Sequence, residues 1–312
     1  MEHPVRPNIM IEIERASERS LLGLAEQKES GGKVAGVYCL FAPTELVRAA
    51  GAIPVSLCGK KEAPIAAAER TLPPNLCPLI KSSYGYAVTD TCPFFAASDF
   101  ILGETTCDGK KKMFELMGRI KPVHLMHLPY DVSEVHALAF WLQEIVRLKD
   151  FLEVQTGRMV EIEELNRQIR LQNDVKRLIW RISRYSVSAV IPLSGLDMMT
   201  VLETKSSCCD LEDYALLLRR LIEELDQLQA AGVSVSAPKA PRILLTGCPV
   251  GKGSEKVLQL IEACGGAVVA LENCSGIKAQ DLVAEEDSAD PLAARSRRYI
   301  QTPCSCMTPN EG

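Results

Sequence analysis

The chain has 312 residues, with 40 acidic and 35 basic side chains, and its net charge of −5 argues against a general nucleic-acid surface. Its 12 cysteines are too sparse for a short disulfide scaffold, yet many for a chain with no use for sulfur. No window approaches the roughly 20 apolar residues that span a bilayer, and the opening MEHPVRPNIMIEIERASERS lacks the apolar stretch of a secretory signal, so a soluble protein of the reducing cytoplasm is expected.

In chain order, Ile9 to Gly31 reads as an amphipathic helix ended by Gly31 and Gly32. The pattern then changes to α/β. Val34 to Phe41 is an apolar run of strand length, Pro43 opens a helix through Ala50, and Ala52 to Cys58 is the next strand. Phe100 to Gly103 and Pro122 to Leu128 add two strands, with a helix from Lys110 to Met117 between them. Strand, helix, strand order of this kind implies a parallel sheet covered by helices. From Val132 to Leu228 the chain reads as long helices with outward glutamate and arginine or lysine pairs, whose charges are solvated faces. Val233 to Pro241 is the clearest linker. A second α/β unit follows, with strands at Arg242 to Thr246 and Ala267 to Leu271, and Ser254 as the N-cap of the helix between them. The expected fold class is therefore α/β: two Rossmann-like parallel-sheet domains joined by a helical segment, the second incomplete. The boundaries fall at 1–131, 132–232 and 233–312.

The chemistry lies in the cysteines. Cys39, Cys77, Cys107, Cys248, Cys274 and Cys304 follow or end apolar runs, mostly beside Gly or Pro, and loops at the carboxyl ends of strands are where open α/β sheets assemble their sites. Thiolates gathered by such turns are what iron–sulfur clusters require. The spacing of 30 residues between Cys77 and Cys107 matches no local zinc ribbon or ferredoxin run, so a shared site must come from tertiary structure. Each cysteine alone reads rather as a small buried hydrophobe, and it is the set together that reads as ligands. If Asp108 and Gly109 open a helix, Cys107 sits at its amino end, where the dipole and Lys110, Lys111 and Lys112 favour a thiolate. A nucleophilic cysteine would gain from the same setting, but no base accompanies it, because His124 and His127 lie in or beside an apolar run and read as structural. GCPVGKGSEK is not a phosphate-binding P-loop, since Lys252 precedes Gly253 and is not followed directly by Ser or Thr. Cys304 and Cys306 are near enough in sequence to chelate, while Cys208, Cys209 and Cys264 are incidental.

GVYCLFAPTELVRAAGAIPVSLC, LPPNLCPLIKSSYGYA, GETTCDGKKKMFELM, ILLTGCPVGKGSEKVL, ENCSGIKA and PCSCMTPN resemble the 2-hydroxyacyl-CoA dehydratase and benzoyl-CoA reductase subunit family, particularly its double-cubane-cluster branch. The resemblance runs from about residue 33 to the end and is weakest in the helical middle. It implies an iron–sulfur cluster, either [4Fe-4S] or a bridged double cubane, held between two Rossmann-like domains. It also implies an ATP-dependent activator protein with its own cluster, and a homodimer or pairing with a like subunit. Cys77 and Cys107 match two cubane ligands. The third family ligand lies in a last part of the second domain that this chain is expected to lack; Cys39, Cys248 and Cys274 look like the additional double-cubane members, and Cys304 like a substitute. The implied activity is dehydration or reduction of an acyl-CoA or a small unsaturated molecule. An iron–sulfur electron carrier without a substrate and a zinc-stabilised structural protein are the competing readings.

Overall fold

A computed structural model describes residues 6–280, 283–304 and 306–309. In chain order the elements are α1 (Met10–Glu29), β1 (Lys33–Val37), α2 (Thr44–Ala49), β2 (Ala52–Ser56), α3 (Ile65–Ala68), α4 (Pro78–Thr89), α5 (Pro93–Ala97), β3 (Phe100–Glu104) and α6 (Asp108–Met117). They continue with β4 (Val123–Met126), α7 (Ala137–Thr156), α8 (Ile162–Arg184), α9 (Gly195–Ser207), α10 (Leu211–Ala230), β5 (Arg242–Thr246), α11 (Lys256–Ala263), β6 (Ala267–Glu272) and α12 (Pro291–Tyr299). None of the described helices is long and apolar enough to cross a membrane.

The chain divides into two compact units, each drawn from two stretches: a larger one from residues 21–170 and 283–309, and a smaller one from residues 6–20 and 171–280. The boundaries fall inside α1 and α8, so this division is interleaved along the chain, unlike the consecutive segments 1–131, 132–232 and 233–312 read from the sequence.

In the larger unit four parallel strands are ordered β2-β1-β3-β4. The chain runs from β1 outward to β2 and then returns past β1 to β3, so the connections leave β1 and β3 in opposite directions. This is a topological switch point, the place where parallel α/β sheets open a crevice at the carboxyl ends of their strands. Every residue of β3, FILGE, is buried, which fits a strand covered on both faces. The apolar run predicted as one strand to Phe41 is strand only to Val37; Phe41 and Ala42 remain buried because the loop carrying Cys39 packs into the core. α7 supports the sheet through Trp141, Ile145, Leu148 and Leu152, spaced three or four residues apart on one face.

Two helices of this unit, α4 and α12, mix polar with apolar side chains on their buried faces. α4 buries Lys81, Ser82 and Ser83. α12 starts at Pro291, with the Asp290 carboxylate accepting from the Ala293 N–H at 3.0 Å, and buries Arg295 and Ser296. Arg295 pairs with the fully buried Glu45 of α2, and Tyr299 donates to the same carboxylate at 3.0 Å.

The smaller unit pairs β5 and β6 in parallel over α9, with a core built from α8, α10, the first turn of α1, and β6. α9 begins at Ser194, whose hydroxyl accepts from the Asp197 N–H at 3.0 Å. Ser254 is not the N-cap expected of it: α11 starts two residues later after Glu255, and the Ser254 hydroxyl instead bonds the Gly251 carbonyl inside the loop.

Candidate metal centre

Because the four strands run parallel, their carboxyl ends fall on one edge of the sheet. Cys39 lies two residues beyond β1, Cys58 two beyond β2 and Cys107 three beyond β3. Cys39 and Cys107 thus stand on the two sides of the switch point. Cys107 is the N-cap of α6, as the sequence predicts, and Cys77 is the N-cap of α4 with Pro78 at its first position. Both thiols are exposed, and neither caps its helix through the side chain. The first turns of α4 and α6 pack closely. A Cβ on Gly109 would lie 2.8 Å from Ile80 Cδ1 and 2.9 Å from Leu76 Cδ1, so glycine is what permits the two cysteine-bearing turns to approach.

The end of the chain joins the same unit. Cys304 and Cys306 pack against the apolar cluster that also receives Cys39, and the Cys306 thiol lies 3.2 Å from Cys304 Sγ. That hydrogen bond, burial and the neighbouring Cys304 and Cys39 push the Cys306 thiol well above its usual range. The Val132 N–H fixes this tail by donating to the Thr308 carbonyl at 2.8 Å.

Two charged residues sit among these sulfurs. Glu104 ends β3 with no exposed surface; its Oε1 accepts from the Ala42 N–H at 3.1 Å, tying the Cys39 loop to the Cys107 loop. Burial pushes its carboxyl up to about 7, opposed by nearby Lys110 and by the Ala42 N–H and reinforced by Cys304. Lys110, in the first turn of α6, has Cys39, Cys58, Glu104 and Cys107 within electrostatic reach. Glu104 Oε2 and Thr106 Oγ1 are buried without a hydrogen-bond partner among the described residues. Orphaned buried oxygens are rare, and two beside one loop mark a place where a ligand or ion is expected. An open groove of about 680 Å³ borders this loop, lined by Thr105, Lys111, Phe114, His127 and Leu128, a volume in the range of small-ligand sites.

Of the six cysteines singled out in the sequence, four belong to this unit: Cys39, Cys77, Cys107 and Cys304. Cys248 and Cys274 belong to the smaller unit, where they follow the adjacent strands β5 and β6. Their loops touch: the Gly247 N–H donates to the Glu272 carbonyl at 3.2 Å and the Ser275 hydroxyl to the Val250 carbonyl at 3.4 Å. The backbone N–H of Lys252 is taken by the Glu203 carboxylate at 2.8 Å, in keeping with a loop that is not a phosphate cradle. Cys208 is buried and bonds the Asp210 carbonyl at 2.8 Å, and Cys209 the Ser20 carbonyl at 3.3 Å, as structural thiols do. Sequence reasoning set Lys110 beside Cys107 but passed over Cys58 and Glu104. A glutamate closing a wholly apolar strand was the available signal for a buried acid.

Among the described residues no three His, Cys, Asp or Glu side chains close around a single metal ion. A multi-iron cluster spreads its thiolates farther apart than one ion does. The donor set, thiols of several strand ends with two orphaned oxygens beside them, fits such a group in kind.

Fold and site together define an α/β protein that presents thiols at the carboxyl edge of a parallel sheet. A family model described as 2-hydroxyglutaryl-CoA dehydratase, D-component, matches residues 39–312, and the chain belongs to that family. It is 40% identical over 312 residues to an Escherichia coli (strain K12) protein named "Putative dehydratase subunit YjiM", the alignment covering 98% of this chain and 79% of that relative.

Proposed function

We propose that this member of the dehydratase family is an iron–sulfur subunit that receives low-potential electrons from an ATP-dependent activator protein with its own cluster. It uses them to dehydrate or reduce an acyl-CoA or small substrate, working as a homodimer or with a like subunit. The supporting observation is the switch point flanked by Cys39 and Cys107, whose loops the buried Glu104 ties together through the Ala42 N–H. Cys39, Cys77, Cys107 and Cys304 are the proposed ligands of the larger unit, and the family resemblance adds Cys248 and Cys274. When bound, the cluster supplies one-electron reduction and Lewis-acid activation of a thioester carbonyl.

The chain's own residues do the rest. Phe41 and Ala42 cover the Cys39 loop and exclude water, Gly109 allows the two helix starts to meet, and the orphaned Glu104 and Thr106 oxygens are available to a bound group. The groove beside Thr105, Lys111 and His127 is the proposed room for substrate.

The test is anaerobic purification with iron and acid-labile sulfide measured together. Iron with sulfide and a visible chromophore supports the reading; zinc without sulfide supports the structural alternative and overturns it. Cys107→Ser is expected to abolish most of the iron content. Cys39→Ser is expected to lower it if two cubanes are present and to change little if there is one. A loaded protein with no turnover of any acyl-CoA, activator present, would point to the plain electron carrier.

A further inference from the structure

We infer that Cys304 and Cys306 form a reversible oxidation site, a dithiol that a peroxide converts to an internal disulfide and a thiol reductant reopens. The Cys306 S–H donates to Cys304 Sγ at 3.2 Å, and both residues are partly exposed, so the pair is preset and within reach of a small oxidant. Bonded sulfurs stand about 2 Å apart, so closing the bridge requires an approach of only about 1 Å. The backbone holds this geometry on both sides. The Met307 N–H donates to the Cys304 carbonyl at 2.9 Å, drawing the ends of this short stretch together. Before it, the Thr302 hydroxyl donates to the Tyr299 carbonyl at 2.7 Å; after it, the Val132 N–H holds the Thr308 carbonyl at 2.8 Å. Met307 is buried, which anchors the stretch to the core of the larger unit.

The hydrogen bond also assigns the roles. Cys304 is the acceptor, so its sulfur is the electron-rich partner that attacks, and Cys306 is the one that resolves. In the first step the Cys304 thiolate takes one oxygen of the peroxide: an S–O bond forms, the O–O bond breaks, and the other oxygen departs as hydroxide or alkoxide and takes a proton from water. In the second step the Cys306 sulfur attacks the sulfenic acid. The S–S bond forms, the S–O bond breaks, and the Cys306 proton leaves with the oxygen as water. The thiols together lose two electrons, and the peroxide gains them. A bridge over one intervening residue closes a small ring, and strained or exposed disulfides are the ones that reductants reopen. The inference goes beyond the iron–sulfur reading and stands without it; on that reading, the bridge and a metal compete for Cys304.

The test uses the full chain, reduced with a phosphine, freed of metal with a chelator, and exposed to an equal amount of hydrogen peroxide before free thiols are alkylated. Cleavage after Arg298 releases residues 299–312, in which Cys304 and Cys306 are the only cysteines. That peptide is expected to come out two hydrogens lighter and unalkylated, and to regain both thiols with dithiothreitol. It is expected to react roughly tenfold faster, or more, in the folded chain than in urea, where nothing holds the sulfurs together. Cys306→Ser is expected to accumulate a sulfenic acid at Cys304 that dimedone traps, and Cys304→Ser to leave Cys306 no more reactive than the exposed Cys264. A peptide that keeps both thiols while Cys264 is oxidised, or an equal rate in urea, overturns the inference. Equal trapping in the two serine variants overturns the assignment of roles. The disulfide does not depend on iron: its failure to form leaves the proposed function standing, and a chain that never takes up iron overturns that function without touching this inference.

Discussion

His124 shows how strongly this fold treats a single titratable group. It points from β4 into the larger unit, 8% exposed, with its ring 4.7 Å from that of Phe151 and its Nε2 without a partner among the described residues. Burial, with the neighbouring Arg147 next, lowers its pKa from 6.5 to about 4. A histidine depressed in the folded state binds its proton more readily when unfolded. Its contribution is thus whole above the ordinary histidine range and fades as pH falls from about 6.5 to about 4, a loss of up to about 3 kcal/mol. Urea unfolding at neutral pH and near pH 4.5 should show this loss, and His124→Gln should remove its part of the slope. The sequence reading of His124 as structural agrees with this environment, and its burial follows from its place on an apolar strand.

At the scale of elements, the strands and most long helices are legible in the sequence because each buries an apolar stripe or run. α4 and α12 escape that reading for a physical reason, since their buried faces carry charged side chains whose partners lie elsewhere in the chain: Lys81 pairs with Glu69 at 2.6 Å, and Arg295 with Glu45 of α2. The same reason hides half of the candidate site. Cysteine positions at strand ends, and Lys110 beside Cys107, can be read from the chain, whereas the grouping of Cys58 with them arises only once β1, β2 and β3 lie side by side. The Glu45–Arg295 pair also makes a test of how the tail is held. Removing one buried partner leaves the other uncompensated, so Arg295→Met is expected to cost about 3–5 kcal/mol in denaturant unfolding, and the double variant Glu45→Met with Arg295→Met to recover much of it.

For the molecule as a whole, the two units have separate apolar clusters, and the two tryptophans report on them individually. Trp141 is fully buried in the larger unit's core, while Trp180, on α8 in the smaller unit, is 43% exposed. Unfolding of the larger unit should therefore dominate the red shift of tryptophan emission, and Trp180→Phe should leave most of that signal in place. Leu148→Ala, in the same core as Trp141, is expected to lower the midpoint followed by that signal, with a cost of about 2–5 kcal/mol.

Cys77 and Cys107 occupy helix N-caps without performing the capping that serine would perform there. Serine at either position can accept from the open amides of the first turn, worth about 1 kcal/mol. These helices therefore begin less securely than a one-atom exchange would allow, and sulfur is retained where oxygen would serve the architecture better. Serine variants at the two positions should melt no earlier than the metal-free parent, and somewhat later if the cap forms. On the proposed function, iron missing from such a variant would then be a defect of ligation in a sound scaffold.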